Sequence, residues 1–124
     1  MKKLFMLALL CLSFVASKAQ LMVVNKTQCP ICVGTVCYDQ KCNIYNVCPD
    51  CTPVAPGGFI PLPVCPQCQF FVAYQVCWLQ CPNFCVTVAP PPGNSCFPPQ
   101  AVLQQCQCAQ ANVFFDAAGN LIVQ

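Results

Sequence analysis

The sequence predicts a small disulfide-rich fold: irregular, with short β-strands and a C-terminal β-hairpin, and with little or no helix once a leader is removed. Three observations predict it. The chain carries fifteen cysteines in 124 residues, well into the range of disulfide scaffolds. Thirteen prolines are spread through it, and each fixes φ and removes a backbone donor, which breaks helices and central strands. The first nineteen residues have the pattern of a secretory leader, which places the thiols where disulfides form and persist.

Residues 1–19 justify that last point. Lys2 and Lys3 precede an apolar run from Leu4 to Val15, and the small residues Ser17 and Ala19 follow. A basic start, a short apolar stretch and a small-residue exit describe a signal peptide, cut after Ala19 or alternatively after Ser17. The run is shorter than the roughly 20 residues that span a bilayer, and Pro and Cys interrupt every later one, so no transmembrane segment is expected.

Removing the leader changes the charge balance. Five charged side chains remain, Lys26, Lys41, Asp39, Asp50 and Asp116, and the chain has no Arg, Glu or His. Nucleic-acid binding needs phosphate-neutralising Lys and Arg, and a polybasic membrane footprint needs the same residues; neither partner is expected. Without His or Glu, no Ser-His-Asp triad or Cys-His pair can be built, so the chain reads as a non-enzyme with no cofactor.

Cys11 leaves with the leader, and fourteen of the fifteen cysteines remain. The run Cys29-x2-Cys32-x15-Cys48-x2-Cys51 satisfies a zinc spacing template. That template assumes reduced thiols, whereas an exported chain meets an oxidising medium, so disulfides are expected and no metal. A bridge typically contributes ~2–4 kcal/mol by restricting the unfolded chain, and seven are expected to replace much of a packed core. A redox role for the Cys-x-x-Cys pairs would need a βαβ setting that this proline-broken chain does not offer.

The N-terminal Cys/Pro-rich half, residues 20–67, opens with Asn25-Lys26-Thr27, an N-glycosylation sequon that makes Asn25 a candidate acceptor. Cys-Pro recurs at Cys29, Cys48, Cys65 and Cys81, and "CTPVAPGG" from Cys51 echoes "CVTVAPPPG" from Cys85. The echo reads as a drifted duplication, roughly 29–64 and 65–108. The two proline-rich loops should be extended and off any central strand.

The second half, residues 68–124, starts with "QFFVAYQV" from Gln69, rich in aromatic and β-branched residues and so a predicted strand. Phe70, Phe71, Phe114 and Phe115 are expected in the core. "AVLQQ" before Cys106 reads as a single helical turn. "VFF" and "LIV" flank "DAAGN", a Gly-containing turn that predicts the terminal hairpin, with Asp116 bonding its own backbone.

The spacing Cys68-x8-Cys77-x3-Cys81-x3-Cys85-x10-Cys96, followed by Cys106-x-Cys108 and "VFFDAAGNLI", resembles the trypsin-inhibitor-like cysteine-rich domain family. The resemblance covers residues 68–124 and implies a flat, core-poor fold. It implies the pairs Cys68–Cys106 and Cys81–Cys96. The family's sixth cysteine falls on Gln100 and its ninth on Leu121, so family pairing strands Cys77, Cys85 and Cys108 as crossing or interchain thiols. Independently of the family, seven cysteines lie in 29–65 and seven in 68–108. Two odd numbers require at least one bridge between the halves, or thiols left for neighbouring molecules. The family's reactive loop corresponds to Phe97, Pro98, Pro99 and Gln100. Proline at the specificity position and again after it, and Gln100 in place of a bracing cysteine, count against inhibition.

The functional expectation is a secreted structural or extracellular-matrix protein with other extracellular proteins, itself included, as partners. The alternative is a serine-protease inhibitor or toxin-like protein of that family with an altered loop.

Overall fold

The computed structural model of the protein describes residues 20–124; the predicted signal peptide lies outside the described residues. Its longest strands follow from the two stretches densest in β-branched and aromatic residues, "ICVGTVCY" and "FVAYQVCW", which form β2 (Ile31–Tyr38) and β6 (Phe71–Trp78). They pair antiparallel along their whole length, from Ile31 opposite Trp78 to Tyr38 opposite Phe71. β7 (Cys85–Val88) lies outside β6, while β3 (Ile44–Val47) and β4 (Thr52–Val54) share the other side of β2. A second sheet runs β5 (Phe59–Pro61), β1 (Met22–Asn25), β10 (Leu121–Val123), β9 (Ala111–Phe115) and β8 (Gln100–Leu103). β1 pairs parallel with β10, and the other pairs of this sheet are antiparallel.

The predicted fold class is the one observed: all strand among the described residues, with seven disulfides. Prolines 53 and 61 sit in the flanking strands β4 and β5, where a missing N–H costs no central ladder bond. The hairpin forms as expected: Asp116 N–H donates to the Asn120 carbonyl at 2.9 Å, and Gly119 takes φ +95°, which a side chain would strain. The Gln69–Val76 strand is shifted by two residues, to 71–78.

Three expectations are corrected. "AVLQQ" is not a helical turn, because Gln100–Leu103 extends as β8 and pairs with β9. Phe70 and Phe71 are not core residues but are 62% and 43% exposed, since Phe70 precedes β6 and Phe71 opens it, before the stretch in which Ala73, Val76 and Trp78 are buried. Phe114 and Phe115 are half-buried. The core-poor expectation also fails. Val23, Val113, Leu121 and Val123 of one sheet meet Ile31, Val33, Val76, Trp78 and Val88 of the other in a closed interior. A fully buried Val, Leu or Ile contributes about 1.5–3 kcal/mol, comparable to one bridge. Packing and sulfur therefore hold the shape together.

Strand β2 is buried at all eight positions. One face lies on the inter-sheet core; on the other, Val36 and Tyr38 pack with Ala73, Ala89 and Phe97, and residues 48–50 pass close by at Gly34 and Thr35. Thr35 N–H donates to the Pro49 carbonyl at 3.2 Å, and Cys48 N–H to the Thr35 carbonyl at 3.0 Å. A Cβ on Gly34 would stand 2.5 Å from the Asp50 carbonyl oxygen, so this approach requires glycine. The two Val-Ala-Pro segments hold matching places. Val54 ends β4 against β2, Val88 ends β7 against β6, and each is followed by a turn. Both sheets draw strands from 20–67 and from 68–124, so the two halves interleave.

Candidate functional site

The fourteen cysteines of residues 20–124 all pair within the chain: Cys29–Cys108, Cys32–Cys51, Cys37–Cys68, Cys42–Cys96, Cys48–Cys65, Cys77–Cys85 and Cys81–Cys106. Cys29–Cys108, Cys37–Cys68 and Cys42–Cys96 cross between the halves, as the parity argument requires. The pairs Cys68–Cys106 and Cys81–Cys96 are corrected. Cys68 closes onto β2, Cys106 takes Cys81, and Cys96 reaches Cys42 beyond the end of β2. The physical reason is the β2–β6 pairing, which interleaves the halves and brings first-half cysteines to Cys68 and Cys96. Cys77 and Cys85 face each other across β6 and β7; neither crosses between the halves, whereas Cys108 does. None of these three is an unbonded thiol.

Asn25, the candidate glycan acceptor, is fully buried, which counts against that assignment. Its Nδ2 donates to the carbonyls of Cys29 at 2.8 Å, Val54 at 3.2 Å and Ala55 at 3.3 Å. Its Oδ1 accepts from Thr27 N–H at 3.0 Å and Thr27 Oγ1 at 2.6 Å. The sequon residues thus bond one another and tie β1 to the end of β4. A glycan would occupy the nitrogen that makes these bonds.

The segment of Phe97, Pro98, Pro99 and Gln100 is held down at the Phe97 ring and the Pro98 carbonyl, while Pro98 and Gln100 are exposed. Phe97 lies edge-on to Tyr38 with ring centroids 4.9 Å apart. Asn94 Oδ1 accepts from the N–H groups of Cys96 at 2.8 Å and Phe97 at 3.0 Å, and the Pro98 carbonyl accepts from Ala89 N–H at 2.9 Å. Gln100 is already in β8. Beside this segment a cleft of about 270 Å³ is lined by Tyr38, Asp39, Gln40, Phe71, Asn94 and Ser95. Its polar groups are largely spoken for. Asp39 Oδ1 accepts from Lys41 and Asn43 N–H groups, and Asn94 Nδ2 donates to the Tyr38 hydroxyl.

No family model, curated protein or solved structure matches this chain. The site must be read from its own chemistry.

Two features escaped the sequence reading. The first is an aromatic group at one end of the β2–β6 pair, where Tyr38 stacks on Phe71 at 5.5 Å and Tyr45 meets Phe70 at 6.3 Å. With Ile44 it leaves a largely exposed apolar face. The "FF" at 70–71 was its only signal, and hydrophobicity alone pointed inward. The second is a sulfur cluster: Cys37, Cys65 and Cys68 have their sulfurs within 4.8 Å of one another, the only such trio among the described residues. These sulfurs are bridged, so they offer no thiolates to a metal. Among ionisable groups, burial raises the pKa of Tyr74. The backbone N–H and side-chain amide of Asn120 hold Asp116 below the usual carboxylate range. Among the described residues no helix is long and apolar enough to cross a membrane.

Proposed function

We propose that the chain is a secreted, non-enzymatic, disulfide-stapled building block of an extracellular layer such as cuticle, eggshell, shell matrix or capsule. The observation that carries this reading is the surface. Phe59 is 69% exposed, Val64 75%, Phe70 62% and Ile44 54%, on a body with five charged side chains after the leader. Few charges mean little self-repulsion, and exposed apolar area favours association. Strands β3 and β5 stand at sheet edges with Ile44, Tyr45 and Phe59 outward, and an uncovered edge templates further pairing. Seven bridges, numerous for a chain of this size, are typical of extracellular proteins.

The inhibitor reading has less support. The segment 96–100 is pinned against Tyr38 and Ala89, whereas a substrate-like loop must offer its backbone to a protease.

Sedimentation velocity of the oxidised protein over rising concentration tests the proposal. A matrix unit associates progressively, more strongly in sulfate and without loss in high sodium chloride. A strict monomer under all these conditions that inhibits trypsin, chymotrypsin or elastase would overturn it in favour of the inhibitor.

A further inference from the structure

The sulfur cluster is built in a way that packing alone does not require. Bridges Cys48–Cys65 and Cys37–Cys68 lie side by side, with the sulfurs of Cys37 and Cys65 only 3.5 Å apart without being bonded. Those two inner cysteines are buried, at 0% and 5% exposure, whereas their partners Cys68 and Cys48 are partly exposed. Access from solvent is therefore on the side of the outer cysteines, and the inner sulfurs touch.

We propose that these four cysteines form a thiol–disulfide relay. A thiolate from outside, on glutathione or on a neighbouring protein, attacks Cys48. The Cys48–Cys65 bond breaks, a mixed disulfide forms on Cys48, and the electron pair leaves on Cys65. That thiolate lies against Cys37 and attacks it; the Cys37–Cys68 bond breaks, Cys37–Cys65 forms, and the electron pair leaves on Cys68. Two disulfides and one thiolate enter, and two disulfides and one thiolate emerge, so no oxidant or reductant is needed. Burial disfavours a thiolate at Cys65, and solvent at Cys68 favours it there, which gives the transfer its direction. Attack on Cys68 runs the same relay backwards and frees Cys48.

The fold tolerates the change. Cys65 and Cys68 belong to one tight turn, in which Cys68 N–H donates to the Cys65 carbonyl at 3.1 Å. Exchanging one for the other moves the staple on β2 by three residues. The product keeps an inner bridge and carries two outer cysteines able to bond to different neighbours. A chain with no unbonded thiol after its leader becomes a two-ended cross-linker. That consequence rests on the matrix reading; the exchange itself does not.

The test uses dilute, monomeric, fully oxidised protein with sub-millimolar glutathione at about pH 8, followed by acid quench, alkylation and peptide mapping. The expected product carries glutathione on Cys48 or Cys68, a new Cys37–Cys65 bridge and an alkylated thiol on the other outer cysteine. It should exceed the unrearranged adduct by roughly tenfold, because an intramolecular thiolate acts at millimolar effective concentration or above. The double variant Cys37→Ser/Cys68→Ser should instead leave the alkylated thiol on Cys65. Glutathione on Cys48 with Cys65 alkylated and Cys37–Cys68 intact in the unaltered protein would overturn the relay, as would no adduct on either outer cysteine. Either failure leaves the matrix reading to its own sedimentation test.

Discussion

Replacing Asn25 by Ala probes whether the buried amide joins the two sheets. The side chain makes three donor contacts to the carbonyls of Cys29, Val54 and Ala55 and accepts twice from Thr27. Two amide hydrogens and one carbonyl oxygen are lost, at about 1 kcal/mol net per hydrogen bond. Thr27 N–H is then orphaned, costing a further ~1–3 kcal/mol, whereas its hydroxyl still reaches the Cys29 carbonyl at 3.0 Å. The total is about 4–6 kcal/mol, which lowers Tm by roughly 15–30 °C for a domain of this size. Scanning calorimetry of the oxidised protein reads the shift. Trp78, the single tryptophan, lies in the core and donates to the Gln104 carbonyl at 2.7 Å, so its emission follows the same unfolding in guanidinium. Asn25→Asp separates bonding from space filling. Its carboxylate would face three carbonyl oxygens, which raises its folded pKa above the unfolded one. Stability is then present at low pH and is lost as pH rises through that raised pKa, so the deficit against the unaltered protein should shrink in acid. A Tm within a few degrees for Asn25→Ala, or a natively folded protein bearing a glycan on Asn25, would refute the reasoning.

Bridge removal should rank by loop length: Cys29 and Cys108 are separated by 79 residues, but the intact Cys37–Cys68 and Cys81–Cys106 bridges shorten the loop that Cys29→Ser/Cys108→Ser opens to roughly 25, a cost of about 3.5 kcal/mol, against about 2.6 kcal/mol for Cys77→Ser/Cys85→Ser at a separation of 8, read by guanidinium unfolding. An inverted order would show that native packing, and not chain restriction, sets these contributions. The pKa of Asp116 is lowered chiefly by the Asn120 N–H and secondarily by its side-chain amide. The turn's carboxylate bonds are therefore intact above the usual Asp range and lost as pH falls through the depressed value. Amide shifts of Ala118 and Asn120 should move together below the ordinary carboxylate titration, and titration at the unperturbed pKa would contradict the bonds.

The disulfide count and the terminal hairpin were legible because their signals are local: an even, dense set of cysteines in residues 20–124, and "DAAGN" between two apolar triplets. The pairing was not. Cysteine spacing within 68–124 carries no information about β2, and it is the β2–β6 pairing that brings Cys37 to Cys68 and Cys42 to Cys96. The core was hidden for a related reason. Its residues, such as Val54, Val88 and Leu103, come in runs of only a few between Cys, Pro and Gln, so no long apolar run announces it. The sulfur relay needed a distance between residues 28 apart in sequence. The burial of Asn25 was not legible because a three-residue motif is blind to it.

The parallel pairing of β1 and β10 has a mechanical consequence. Tension applied to the segment before β1 and the segment after β10 pulls the two strands past each other lengthwise. Their ladder bonds are then loaded together in shear, which resists far more than opening them one at a time like a zipper. When that clamp yields, the next link in the line of force is the Cys29–Cys108 bond. Tension passes from one end of the chain to the other through that single covalent link and bypasses residues 30–107. A lattice of such units would give by a short, fixed length at each one and then stop, with most of every molecule still folded.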